Sequence, residues 1–320
     1  MQPSGQGALD RETLSFVEAL PVPFELTNLD KPVLSAASQR PIVKAEVIAY
    51  YAAVAELMLP HLQQRPLALV RWPERHGSHC YVQRHAHANT PDAVQRVPIT
   101  QAHKRAEYML IRDVSGVIAL AQLATLEIHT WCCRAPQLAR PDRLVIGVHV
   151  ESDEPWDSVI VAAVELRQRL TDVGLDSFVH MTGDGGLQVV TPLKLRLTWP
   201  AHRQVARAIV DVMVKDAPDR YLVHSRHSRH AETQGRVVLD ASLSSWSATA
   251  VAPYSLRALP SAPVAAPITW DELMAGARTS DFALHSINKR LAPGAPDPWA
   301  GFVEVEQALS RKALRSLGCA

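Results

Sequence analysis

The residues best equipped for chemistry sit on short apolar runs and in one glycine-rich turn. Residues 144–150 form a β-branched run that predicts a core strand, on which Gly147 and His149 share a face. A second run, 236–243, carries Asp240. An imidazole with a carboxylate suits Zn²⁺ or Mn²⁺, yet His149 and Asp240 bring no third ligand, and the favoured reading is of polar residues filling space. Glu151, Asp153 and Glu154 follow the strand instead of lying on it, where carboxylates are usually solvated. The strongest basic cluster is 224–230, His-Ser-Arg-His-Ser-Arg-His. It suits phosphate, more strongly below neutral pH as His gains charge. On a strand its spacing of three sends successive His to opposite faces, which argues against a three-His metal site.

Several elements must position these residues. Val47, Tyr50, Tyr51, Val54, Leu57 and Met58 predict a helix from Lys44, closed by Pro60 and Pro66. Residues 67–72 predict a strand ended by Pro73, and Asp113 is an N-cap for a helix over 114–125. Beyond strand 144–150, apolar residues from Val159 to Val173 alternate at spacings of four and three up to Gly174, so a strand, helix, strand unit is expected. Thr182-Gly183-Asp184-Gly185-Gly186 predicts the turn of a hairpin within 178–191. Val205, Ile209 and Val212 mark another helix, 236–243 and 248–253 further strands, and 270–277 a short helix. Residues 1–22 carry Gly, Pro and Ser without sustained periodicity and read as an extension or linker.

The chain has 320 residues, 47% of them hydrophobic, enough for one large or two modest domains. No apolar run approaches the roughly 20 residues of a membrane span, and no secretion pattern opens the chain, which makes the cytoplasm the default. Cys80, Cys132, Cys133 and Cys319 form no C-x-x-C pair and read as reduced thiols. With a net charge of +1, any affinity for phosphate must be local.

Ordered segments across residues 26–299 resemble the primase-polymerase domain of bacterial ligase D, within the archaeo-eukaryotic primase superfamily. They are Leu26-Thr27-Asn28-Leu29-Asp30-Lys31, 44–51, Leu59-Pro60-His61-Leu62, Arg65-Pro66-Leu67, Leu126-Glu127-Ile128-His129-Thr130-Trp131, Pro141-Asp142-Arg143-Leu144-Val145, Ala252-Pro253-Tyr254-Ser255-Leu256-Arg257 and Thr269-Trp270-Asp271-Glu272-Leu273. The resemblance implies an α/β fold, the mixed-sheet primase-polymerase core with packed helices and a cleft between two layers. It divides the chain into an extension over 1–22, a primase-polymerase-like domain over 23–300 and a tail over 301–320. It also implies two-metal nucleotidyl transfer at DNA ends in non-homologous end joining, with carboxylates on alternate strand residues.

This chain departs from that pattern. Where the family strand reads Phe-Asp-Leu-Asp-Pro, residues 146–150 read Ile-Gly-Val-His-Val, so Gly147 and His149 stand at the acid positions. Asp240 is the retained acid, and one carboxylate cannot organise a Mg²⁺ pair. Where the family has Ser-Gly-x-Lys-Gly-x-His, Gly185 replaces the Lys and Gln188 the His, while Asp184 adds negative charge where a triphosphate is expected. By resemblance His129, Thr182 and Arg257 meet nucleotide phosphates, with a retained structural role for His129 and Arg257 equally open. Asn28, Lys31 and Lys44 correspond to a pocket for the 5′-phosphate of a recessed DNA end, with the helix N-terminus at Lys44 favouring a dianion. Arg71, Tyr81, Arg226 and Arg229 are the expected DNA contacts, Tyr81 as a stacking ring or a core residue.

The expectation is therefore a ligase D-type polymerase-domain homologue that binds 5′-phosphorylated DNA ends, has lost transfer and needs no cofactor. Its partners would be DNA ends, the end-joining ligase and end-binding proteins, in the bacterial cytoplasm at the nucleoid and with no membrane. The alternative is an active primase-polymerase using Mn²⁺ or Mg²⁺ through a rearranged site of Asp240 with Asp184 or Glu151. A third reading is a partner-docking remnant without DNA affinity.

Overall fold

The computed structural model describes residues 10–34, 40–72, 80–101, 103–150, 155–224, 235–287, 290–292 and 294–319. Arg226, Arg229, Glu151, Asp153, Glu154 and Pro73, named above, lie outside these residues, as does all of the 224–230 cluster except His224. The fold is mixed α/β. Its main sheet has six strands in the order β11 (Tyr221–Val223), β12 (Val237–Asp240), β8 (Arg143–His149), β10 (Leu187–Pro192), β9 (Phe178–Met181) and β14 (Pro267–Ile268). Only the β11–β12 pair in it is parallel. A second, antiparallel sheet runs β13 (Ala250–Val251), β7 (Thr125–Thr130), β3 (Leu67–Arg71) and β4 (Tyr81–Gln83). Two ribbons, β1 (Pro32–Leu34) with β2 (Ile42–Val43) and β5 (Gln95–Gln101) with β6 (Lys104–Leu110), complete the strands.

Strand period two divides the main sheet into faces. Leu144, Ile146 and Val148 enter the large core with Val159, Ala163 and Leu166 of α4 (Trp156–Asp172) and Val205 and Ile209 of α5 (Trp199–Asp216). Val145 and Val190, on the other face, bury with Cys132, Ala250, Trp299 and Phe302. Against the second sheet pack α2 (Lys44–Leu62) and α3 (Val114–Gln122), whose Val47, Tyr51, Val54 and Val117 share the large core with Leu67, Leu69, Leu126 and Ile128.

Several boundaries differ from the sequence reading. Residues 11–18 form α1 (Arg11–Glu18) inside the expected extension, because the Asp10 carboxylate accepts from the Glu12 and Thr13 amides and Val17 is fully buried. Burial of His61 and Leu62 carries α2 past Pro60. α3 stops at Gln122, ahead of Ala124 in the left-handed region at φ 56°, where β7 begins. The 236–243 strand ends at Asp240, whose Oδ1 accepts from the Ser242 amide at 2.8 Å and turns the chain into a 3₁₀ turn, Ser242–Ser244. The β5–β6 ribbon was not anticipated. Two further helices, α6 (Trp270–Met274) and α7 (Arg311–Ser316), close the chain; α6 matches the expected short helix, begun by the Thr269–Glu272 capping box.

The resembling segments meet as buried polar locks. Arg65 grips Asp142 through both carboxylate oxygens at 2.6 Å, and burial, which would raise the Asp142 carboxyl, is outweighed by Arg65, leaving it at about 2. Tyr51 donates to Leu126 O at 2.7 Å and accepts from Leu256 N at 3.1 Å, while Ser255 Oγ accepts from Ile128 N at 2.8 Å. These bonds fix the strand carrying His129 against the segment carrying Arg257.

Candidate functional site

Strand register sets one row of side chains across the main sheet. Asp240 pairs with Gly147, Gly147 with Gln188, and Gln188 with His180, and cross-strand partners share a face. A Cβ built on Gly147 would lie 3.3 Å from Asp240 Cβ, which confirms that both point the same way. The next row holds His149 opposite Val238, with the turn residue Gly186 on its other side, where an added Cβ would sit 3.0 Å from His149 Cβ. The two positions at which acids were expected thus lie on the face of Asp240, Gly147 directly opposite it and His149 two residues along β8, and neither carries an acid.

This donor set does not fit a pair of divalent cations. Asp240 is the one carboxylate in its row, and one of its oxygens is taken by the Ser242 amide. The His149 ring centre is 6.1 Å from that of His224, but among the described residues no group of three or more His, Cys, Asp or Glu could hold a metal ion. His180, overlooked in the sequence, is buried; Gln188 Oε1 lies 3.1 Å from its Nε2 and Met181 O 3.0 Å from its Nδ1. Burial drives its pKa down to about 4, so it is neutral at pH 7. Counting across the five-residue turn would have found it, since that turn places residue 180 opposite residue 188.

The expected phosphate-contacting residues do come together, and they are joined by a chain of polar contacts and ion pairs. His129 Nε2 lies 2.8 Å from Glu127 Oε2, Glu127 Oε1 lies 3.1 Å from Arg257 Nε, and Arg257 Nη2 lies 2.9 Å from Asp184 Oδ2. Arg257 also donates to Thr182 O, and the Thr182 hydroxyl donates to Asp184 Oδ1. Burial would raise the Glu127 carboxyl, but the hydrogen bond from His129, the Arg257 charge and the Ala258 amide hold it at about 2. Glu127 is the second residue missed in the sequence, although period two along β7 sets it beside His129. Asp184, the expected partner of Asp240 in a rearranged metal site, is engaged by Thr182 and Arg257.

At the far end of α2, Asn28, Lys31 and Lys44 are tied through their backbones. Lys31 N donates to Asn28 O at 3.2 Å, Lys44 N to Lys31 O at 2.8 Å and Ala45 N to Leu29 O at 2.9 Å. Asn28, at φ 52°, is exposed and Lys31 half-buried. Lys44 is fully buried, with Nζ 3.5 Å from Gln122 O, and Gln122 is itself held by Thr27. The sequence reading has the α2 N-terminus open to a dianion. Instead the Lys44 and Ala45 amides are taken by Lys31 O and Leu29 O, and Glu46 accepts from Val43 N at 3.0 Å.

Arg71 is bound into the fold, its Nε 2.8 Å from Leu123 O and its Nη1 2.6 Å from Gln83 Oε1. It supports Tyr81 from below, 5.6 Å from the ring centre, and Tyr81 stands 40% exposed on edge strand β4, which favours the surface ring over the core alternative.

Comparison with known proteins places this geometry. The family model described as the LigD primase-polymerase domain matches residues 43–299. The multifunctional non-homologous end joining protein LigD of Pseudomonas aeruginosa is 30% identical over 278 residues, covering 86% of this chain and 32% of the relative. The bifunctional non-homologous end joining protein LigD of Bacillus subtilis is 25% identical over 273 residues, covering 84% of this chain and 42% of the relative. The chain therefore spans about a third of the length of the first of these relatives. Among solved structures, the polymerase domain of Mycobacterium tuberculosis ligase D in complex with DNA superposes with a TM-score of 0.78 at 26% identity, covering 88% of this chain and 98% of that one.

Proposed function

This chain belongs to the LigD primase-polymerase family, and we propose that it binds 5′-phosphorylated DNA ends in bacterial end joining without transferring nucleotides. The observation that carries the loss of transfer is the row Asp240, Gly147, Gln188, His180, with a single acid where the family chemistry needs several. Among the described residues no cage for a cation pair forms, and the expected triphosphate contact Arg257 is engaged by Glu127 and Asp184 of the same chain. No cofactor is needed for the role that remains.

The end-binding half rests on the knot of Asn28, Lys31 and Lys44. Asn28 would meet the phosphate at the surface, and the ammonium groups of Lys31 and Lys44, both buried, would add positive charge beneath it. Tyr81, stiffened by Arg71, would stack on a base, and Arg226 and Arg229 would meet the DNA backbone. That the solved relative is complexed with DNA supports this reading. The folded unit runs beyond the expected 23–300, since Val17 of α1 and Phe302 both pack into its cores. Its partners would be the end-joining ligase and end-binding proteins, and its place the cytoplasm at the nucleoid; among the described residues no helix is long and apolar enough to cross a membrane.

Primer extension on a recessed, 5′-phosphorylated duplex with Mn²⁺ and ribonucleotides tests the loss of transfer. The expected result is no extension; incorporation abolished by Asp240→Ala would overturn the reading.

A further inference from the structure

Arg257 and Thr182 are engaged by a carboxylate of their own chain. Asp184 Oδ2 lies 2.9 Å from Arg257 Nη2, and Asp184 Oδ1 accepts from the Thr182 hydroxyl. A guanidinium and a hydroxyl on two oxygens of one anion is also how two terminal oxygens of a phosphate group are held. The guanidinium is built in: the Arg257 side chain is 13% exposed, its Nε faces Glu127 Oε1 at 3.1 Å and Nη1 donates to Thr182 O. Asp184 is the solvent-facing member, 45% exposed.

The turn is shaped for this contact. Gly183 and Gly185 lie at φ 80° and 92°, a region that disfavours side chains. A Cβ on Gly183 would come within 2.6 Å of Arg257 Cγ, so only glycine lets the arginine run beneath the turn to reach Asp184. Glu127 and Asp184 both face this guanidinium, and removing the Asp184 charge would leave Arg257 facing Glu127, with one Nη donor and the Thr182 hydroxyl turned outward.

We propose that Asp184 is a built-in substitute for a phosphate group, occupying an oxyanion site that Arg257 and Thr182 still form, and that it keeps polyphosphates such as pyrophosphate and nucleoside triphosphates out. The proposal rests on the reading of this corner as a former nucleotide pocket and deepens it: recognition persists and is masked by self-occupancy. An end-binding domain built this way ignores free nucleotides.

The test is calorimetric titration of inorganic pyrophosphate and of ATP, in chelator, into the wild-type chain, Asp184→Asn, Asp184→Ala and the double variant Asp184→Asn/Arg257→Gln. Asparagine keeps the shape and the hydrogen bond from Thr182 without the charge, and melting temperatures verify that each variant is folded. Pyrophosphate is expected to bind Asp184→Asn or Asp184→Ala at least tenfold more tightly than wild type, with the gain lost in the double variant. Variants that bind pyrophosphate no better than wild type, or a gain that survives Arg257→Gln, would overturn the proposal. A gain for ATP alone would overturn it too, because it would assign the affinity to base or ribose. Failure here leaves the end-binding reading standing, since that is measured on DNA ends and through Lys31.

Discussion

Gly147 and His149 hold the positions at which the sequence resemblance sets acids, and the space beside Gly147 is narrow. A Cβ at 147 would lie 3.3 Å from Asp240 Cβ, which would have to give by a few tenths of an ångström, and at van der Waals contact, 3.4 Å, from Leu243 Cδ1. Gly147→Asp is expected to destabilise the chain by about 1–3 kcal/mol in urea unfolding, through crowding and the second carboxylate beside Asp240. Combined with His149→Asp it supplies three acids on one face. Mn²⁺ should then raise the melting temperature of the double variant and not that of wild type. Primer extension should stay absent in that variant, because Asp184 still holds Arg257 and Gly185 brings no ammonium. Extension restored by the two acids alone would show that the triphosphate side is intact.

The polar locks between elements hold the site's frame. Tyr51→Phe removes the hydroxyl that bridges Leu126 O and Leu256 N. It should cost about 1–3 kcal/mol, as unpaired buried groups do, measured as a shift in urea midpoint with unchanged slope. The hairpin β9–β10 carries a pH dependence. His180 has a folded pKa of about 4, below the ordinary value of 6.5 for an unfolded chain, so the unfolded state takes the proton first. The contribution is fully present above pH 6.5 and is lost as pH falls from 6.5 towards 4. His61 and His202, also buried and lowered, act in the same direction. Unfolding free energy should therefore drop between pH 7.5 and 5, and His180→Gln should flatten part of that drop; a drop of unchanged size would locate the titration elsewhere.

Across the whole molecule, the strands and helices that carry the resemblance were readable because burial imposes clear periods: β8, α4 and α5 each appear in the sequence as spaced apolar residues. That residues 147, 188 and 180 share one row was readable for the same reason, since register follows from the hairpin. The β5–β6 ribbon was not, because β5 buries only one of its seven residues and the buried residues of β6 fall consecutively at its end, not in alternation. The hold of Asp184 on Arg257 was out of reach too, since it joins residues far apart in sequence and depends on the path of an arginine beneath a glycine. The N-terminal segment looked like a linker because eight residues of α1 give too little pattern, yet Val17 sits in the core. Removal of residues 1–22 is expected to lower the melting temperature by several degrees, on the scale of about 1–3 kcal/mol for a lost core side chain.

The claim that this chain is an end-binding member of its family is tested most directly by fluorescence anisotropy on recessed duplexes that differ only in a 5′-phosphate or 5′-hydroxyl. The phosphorylated end should bind about tenfold more tightly, roughly 1.4 kcal/mol. Lys31→Ala should erase that preference while weaker, salt-sensitive binding persists. Equal affinity for the two ends, or a preference untouched by Lys31→Ala, would contradict the account, and no affinity for either would leave a docking remnant.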